Sequence, residues 1–172
     1  KYFFIFTLCI ALKSTAQLSG GFSGIYNFQT ESVGLGARAL FREQKQIQIS
    51  PQFAYFLPFN KVHEWTLGVA LQYRVVKIGK FQSYALGHVG YNRWINFEDS
   101  FMKDAQPNNW NGEVGLGIRV GKNVKSFAEW RYNTKHREAS IHLGLLFNKN
   151  AFTPKKQNFK RLGPAANTPK SN

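Results

Sequence analysis

The stretch WNGEVGLGIRVG, residues 110–121, decides how this chain is read. Trp110, Gly112, Val114, Leu116, Ile118 and Val120 occupy one set of alternate positions. Asn111, Glu113, Gly115, Gly117, Arg119 and Gly121 occupy the other. Side chains of an extended strand point alternately to opposite faces, so this spacing predicts one apolar face and one face of ions, an amide and glycines. The glycines leave room beside the ions.

The same period of two recurs from Leu18 to Phe147. In SVGLGARALF, Val33, Leu35, Ala37, Ala39 and Phe41 oppose Gly34, Gly36, Arg38 and Leu40. In QIQISPQFAYFL, Ile47, Ile49, Phe53, Tyr55 and Leu57 oppose Gln46, Gln48, Ser50 and Gln52. In EWTLGVALQYRV, Trp65, Leu67, Val69, Leu71 and Tyr73 oppose Thr66, Gly68, Ala70, Gln72 and Arg74. VKSFAEWRYN sets Ala128, Trp130 and Tyr132 against Glu129, Arg131 and Asn133, and EASIHLGLLF sets Ile141, Leu143, Leu145 and Phe147 against Ser140, His142, Gly144 and Leu146. LSGGFSGIYNF and KFQSYALGHVGYNRW are also strand-like, but their glycines leave the choice of face open.

These segments predict eight strands of about 9–12 residues, and a tilted membrane-spanning strand needs about 9–11. The connections fall near 29–31, 43–45, 58–63, 76–79, 97–109, 122–123 and 134–137. The second, fourth and sixth are short, and the fifth is long, polar and acidic. Short turns on one rim and longer loops on the other fit an up-and-down outer-membrane barrel, with 97–109 facing outward from a periplasmic N-terminus. Pro51 removes a ladder donor, which predicts a bulge or local break in strand three.

The ends carry different signals. Lys1, the apolar run Tyr2–Leu12 and the small residues Ser14-Thr15-Ala16 read as a cleaved secretory signal over 1–16. No later apolar run approaches the 18 residues of a membrane helix. Cys9, the one cysteine, lies within 1–16, so the mature chain has no disulfide. The formal net charge is +14, and removing Lys1 and Lys13 leaves +12. Residues 149–172 hold Lys149, Lys155, Lys156, Lys160, Arg161 and Lys170 without an acid, and read as a disordered Pro/Lys-rich periplasmic tail. Lys155, Lys156, Phe159, Lys160 and Arg161 are its expected contact core with an anionic surface, the cell wall or an envelope partner. A secretory signal sets nucleic acid aside as a partner of the basic charge.

Three features place lipid, rather than a protein core, against the apolar faces. The polar faces are rich in Gly, Ala, Ser and Gln, with few of the charges of a solvated face. Aromatics lie near strand ends, and Trp65, Tyr73, Trp94, Trp110, Trp130, Tyr132 and Phe147 are expected to form interfacial girdles. Backbone in lipid must be fully paired, which closes the sheet. The chain is therefore expected to be all-β: an eight-stranded antiparallel up-and-down transmembrane barrel over 17–148. An eight-stranded interior is just wide enough for side chains to fill. Arg38, Arg74, Glu113, Arg119, Glu129 and Arg131 are expected to form a lumen ion-pair network. Four cations against two anions would leave that lumen electropositive.

LGARALF, SPQFAYFLP, EWTLGVALQYRV, YALGHVGYNRW and GEVGLGIRVG followed by FAEWRYN together resemble the small outer-membrane β-barrel domain of Bacteroidota. That family is similar in build to the transmembrane domain of outer-membrane protein A. The resemblance covers 18–148 and implies a bacterial outer-membrane location. Phe147 resembles the terminal aromatic that the insertion machinery reads, although 25 residues follow it here.

The sequence holds no P-loop, zinc spacing, nucleophile elbow or dinucleotide fingerprint, so no cofactor or metal is expected. Glu138, Ser140 and His142 share a face of strand eight and suggest nucleophilic catalysis. Residues two apart on a strand lie roughly 6.5–7 Å apart, which argues against a direct nucleophile–base contact. The expected role is therefore non-enzymatic: a structural or interaction protein of the cell envelope, with a side-chain-plugged lumen, alone or within a larger complex. It would sit among outer-membrane lipid and lipopolysaccharide. The alternatives are a narrow anion-conducting pore and a lipid-modifying enzyme.

Overall fold

A computed structural model describes residues 18–59, 62–95 and 107–148. Eight strands follow in order: β1 Ser19–Asn27, β2 Ser32–Leu40, β3 Ile47–Phe59, β4 Val62–Ile78, β5 Phe81–Ile95, β6 Asn108–Gly121, β7 Val124–Asn133 and β8 Glu138–Asn148. Each pairs antiparallel with its sequence neighbour, and β1 pairs with β8, closing the barrel. Closure leaves no sheet edge, the condition for β-structure in lipid. The expected signal segment 1–16 and tail 149–172 lie outside the described residues.

One rim, called near below, carries Ser19 and Asn148 and the connections 41–46, 79–80 and 122–123. The far rim carries 28–31, 134–137, the β3–β4 connection and the β5–β6 connection. The expected contrast between short and long loops is weaker than the sequence suggested. Strands β3 and β4 run to Phe59 and Val62, well into the expected 58–63 loop, and β6 begins at Asn108, inside the expected 97–109 loop. The strands thus extend that side of the wall further than the sequence pattern suggested.

The burial pattern is inverted relative to a soluble domain. Arg119, Arg131, Glu129, Gln48 and Gln72 are among the largest fully buried side chains. Leu35 and Leu116 stand 61% and 63% exposed on the outer wall. A wall of this kind suits acyl chains and is incompatible with a soluble barrel, whose apolar side is the interior. From Trp65 to Tyr73 the outward face of β4 spans eight residue steps, about 27 Å along the strand. A tilt of about 40° reduces this to a height of about 21 Å, near that of an outer-membrane apolar band.

Pro51 gives a break on one side only. The β3–β4 register runs unbroken from Ile47↔Tyr73 through Pro51↔Val69 to Phe56↔Glu64, so no bulge forms there. The β2–β3 ladder stops at Arg38↔Gln52 and resumes only as the Phe41↔Ile49 bridge. Phe41 and Ile49 exchange two backbone hydrogen bonds. Antiparallel hydrogen-bonded pairs recur every two residues, so the next pair would be Ala39 with Pro51, and proline has no N–H to give. Register shifts lie elsewhere, between Phe56 and Phe59 in β3 and between Arg74 and Val76 in β4.

Candidate functional site

Strands β2, β3, β5, β6 and β7 direct polar side chains at one another across the lumen, and Glu129 is their hub. Its Oε1 accepts from Arg38 Nη1 at 2.5 Å and from the Tyr84 hydroxyl at 2.7 Å. Its Oε2 accepts from Arg131 Nη2 at 2.5 Å and Nε at 3.0 Å, a two-pronged pairing. Arg131 also donates to Glu113 Oε2 at 3.2 Å and to Gln52 Oε1 at 2.8 Å. His88 Nδ1 lies 3.1 Å from the same Glu113 oxygen. The Arg38 guanidinium lies 4.1 Å from the centroid of the Phe127 ring.

Of the six residues expected in this network, the structure brings Arg38, Glu113, Glu129 and Arg131 together. Arg119 is buried nearer the near rim and makes no ion pair among the described residues. It donates to Gln48 Oε1 at 3.1 Å and Gln72 Oε1 at 2.8 Å, and its guanidinium lies 4.6 Å from the centroid of the Tyr84 ring. Arg74 does not belong to the network. It sits at the β4 register shift and donates to Gln44 O at the rim, 3.2 Å away. Its parity is that of Gln72 and its cross-strand partner is the inward Tyr84, so the alternation gave its face correctly; its height at the rim keeps it from the network.

Below this layer Leu40, Phe127 and Leu146 pack together inside the barrel. Beneath them, Glu43 turns inward from the 41–46 connection. Its carboxylate accepts from Lys125 Nζ, from Ser19 Oγ at 2.6 Å and from Asn148 Nδ2 at 3.4 Å. Burial pushes the Glu43 carboxyl up. The Lys125 and Ser19 hydrogen bonds, with the charges of Lys125 and Arg119, outweigh this and hold it below the ordinary glutamate range. Sequence reading missed Glu43 and Lys125: one lies in a turn, and the other stood in a face that was read only from Ala128 onward. The lumen therefore holds Arg38, Arg119, Arg131 and Lys125 against Glu43, Glu113 and Glu129. Glu64 and Glu138 stand nearer the far rim, so the expected electropositive lumen is not found.

Toward the far rim the packing opens into a cavity of about 300 Å³, lined among others by Glu64, His88, Asn92, Trp94, Glu138 and His142. Trp94 was expected in the outer aromatic girdle. It faces inward instead, its ring 6.3 Å from that of His136. The outward aromatics include Trp65, Tyr91 and Trp110, with successive centroids 5.9 and 5.5 Å apart near the far rim. Trp130 and Tyr132 lie on the outer face of β7. Tyr73 accepts from Gln46 Nε2 at 2.6 Å near the other rim, and Phe147 packs 5.7 Å from Phe22.

Ser140 Oγ lies 3.3 Å from His142 Nε2, so the side chains lean together and overcome the backbone separation that had argued against contact. Glu138 does not complete a triad with them. Its carboxylate accepts from Asn27 Nδ2 at 2.9 Å. The pair also faces the lumen, away from the acyl chains that a lipid-modifying enzyme must reach. Among the described residues no group of His, Cys, Asp and Glu is arranged to hold a metal ion. The tail contacts Lys155, Lys156, Phe159, Lys160 and Arg161, and residues 97–106 of the acidic loop, lie outside the described residues.

The chain matches no protein-family model and no curated protein sequence. Its fold is similar to that of several outer-membrane barrels. The N-terminal β-barrel domain of Pseudomonas aeruginosa OprF is 15% identical, with a TM-score of 0.58, covering 78% of this chain and 99% of that one. Neisserial surface protein A is 15% identical at a TM-score of 0.51, covering 77% and 94%. The Yersinia pestis outer membrane protein Ail, in a phospholipid bilayer nanodisc, is 11% identical at 0.51, covering 77% and 99%. At these identities the likeness is one of fold: an eight-stranded outer-membrane-type barrel.

Proposed function

We propose that this chain is an integral protein of the bacterial outer membrane, of the small barrel family of Bacteroidota, with a lumen closed by its own side chains. It serves the cell envelope as a structural or interaction protein rather than as a pore or an enzyme. The observation that carries the reading is the Arg38–Glu129–Arg131–Glu113 chain, which joins β2, β6 and β7 across the interior. The Glu43–Lys125 pair adds a second closure at the near rim. Ions crossing this path would have to break buried, hydrogen-bonded ion pairs, which is costly when one partner is left unpaired.

In this reading the near rim faces the periplasm, the far rim faces out, and the basic tail reaches an anionic surface or an envelope partner from below. The test is planar-bilayer recording of the full chain. The expected result is no steady conductance. Stable anion-selective steps would replace the plugged barrel with the pore. Unchanged lipid composition in a His142→Ala strain is the expected result for a non-enzyme. A changed acyl pattern would move Ser140 and His142 to the centre of the function.

A further inference from the structure

We propose that the far-rim cavity is a binding site for a small organic cation carrying an ammonium or guanidinium group. The argument begins with unused hydrogen-bonding capacity. Asn92 is 2% exposed and donates Nδ2 to Glu64 Oε1 at 2.8 Å. A carboxylate can only accept, so this bond fixes the orientation of the amide and leaves Asn92 Oδ1 buried without a partner. Asn111, 7% exposed, likewise has an unpartnered Oδ1 beside the cavity. Glu64 and Glu138 each accept from one asparagine and keep further lone pairs. Trp94 Nε1, a donor, is also buried without a partner beside the cavity, but the asparagine oxygens and the two carboxylates make acceptors the larger part of the spare capacity, which suits an occupant rich in donors.

Charge makes the choice sharper. Glu64 and Glu138 both line the cavity, and neither is in an ion pair among the described residues. The Arg131 guanidinium at the cavity floor is shared between Glu113 and Glu129. Lys135 on the far rim donates to Asn109 Oδ1 at 3.0 Å. In a chain of net charge +14, with Arg38 and Arg131 on the same lining already engaged by Glu129 and Glu113, the fold has gathered around one concavity two carboxylates that form no ion pair among the described residues. Low-dielectric walls focus their field on a bound charge. Trp94 pairs with Glu64 in the β4–β5 register and also lines the cavity, placing an aromatic surface beside the carboxylate. Carboxylates with an aromatic ring recognise ammonium and guanidinium through charge and cation–π attraction together.

The experiment is calorimetric titration of the folded full chain in zwitterionic micelles. The probes are 1,4-diaminobutane, its neutral isostere 1,4-butanediol, and inorganic phosphate. The diamine is expected to bind one to one, with the diol and phosphate at least tenfold weaker. Glu64→Gln/Glu138→Gln should weaken the diamine at least tenfold while the heat-dependent gel shift of the barrel stays intact. If that double variant loses the shift, the single variants Glu64→Gln and Glu138→Gln carry the test, each weakening binding at least threefold. Equal binding of the diol, unchanged binding by the folded variants, or no binding of the diamine at millimolar concentration would overturn the proposal. A conducting barrel would leave this titration unchanged, and an empty cavity would leave the closed lumen standing, so the two readings fail separately.

Discussion

The two halves of the lumen are built from the same residue classes and end in opposite conditions. Toward the near rim, Glu129 and Glu43 are each surrounded by donors, and side chains fill the bore. Toward the far rim, Glu64 and Glu138 each have one amide donor and face a cavity. A buried carboxylate is tolerated when its lone pairs are satisfied and its charge is opposed. The half that meets this condition is a structural core. The half that does not meet it has capacity left for something else.

The largest expected effect tests that contrast directly. Glu129→Gln would leave Arg38 and Arg131 buried without their shared counter-charge, at a cost of about 3–5 kcal/mol. Denaturant unfolding in micelles should show this, whereas Glu138→Gln near the far rim should stay within about 0.5 kcal/mol. Equal losses would show that the halves do not differ.

The next effect concerns space. A Cβ built on Gly117 would lie 2.4 Å from Tyr84 Cζ, while one on Gly20 meets nothing within 4 Å. Gly117→Ala is expected to destabilise by about 1–3 kcal/mol through overpacking. The same change at Gly20, compared in the same unfolding series, should be close to neutral.

The third test is acid sensitivity at the near rim. The Glu43 carboxyl titrates lower in the folded chain than its ordinary value of 4.5. Its stabilising contribution is therefore complete above that value and is lost as pH falls through the folded one. Charged or polar groups facing it are Lys125, Arg119, Ser19 and Asn148. Unfolding followed from about pH 6 to about pH 3 should show wild type losing more stability than Lys125→Met, because the variant lacks the cation that depresses the carboxyl. The smallest effect belongs to Arg74→Gln, whose exposed rim contact should be worth less than about 0.5 kcal/mol by the same unfolding assay.

Legibility followed the alternation. WNGEVGLGIRVG carried two unlike sets of residues, so its faces, and with them Glu113 and Arg119, could be read directly. β5 could not be read this way, because apolar side chains stand at both parities. Leu86 and Trp94 share one, while Val89 and Tyr91 share the other. Only pairing with neighbours settles that strand: Tyr91 lies opposite Leu67 on one side and Trp110 on the other, which places it outside and Trp94 inside. Arg74 was misplaced for a different reason: alternation gives a residue's face but not its height, and Arg74 stands at the rim, within reach of the Gln44 carbonyl.

By itself the sequence determined the strand count, the inside-out polarity and most of the residues that face the lumen. These follow from a period of two, which is local chemistry repeated along the chain. Tertiary structure alone decided which ions meet. Arg38 and Glu129 are 91 residues apart, and Glu43 and Lys125 are 82 apart. Their contacts depend on closure, stagger and one inward-turning connection, quantities set by the whole barrel. The same global geometry left Glu64 and Glu138 beside an open cavity without an ion pair among the described residues, and no local pattern in the chain records that.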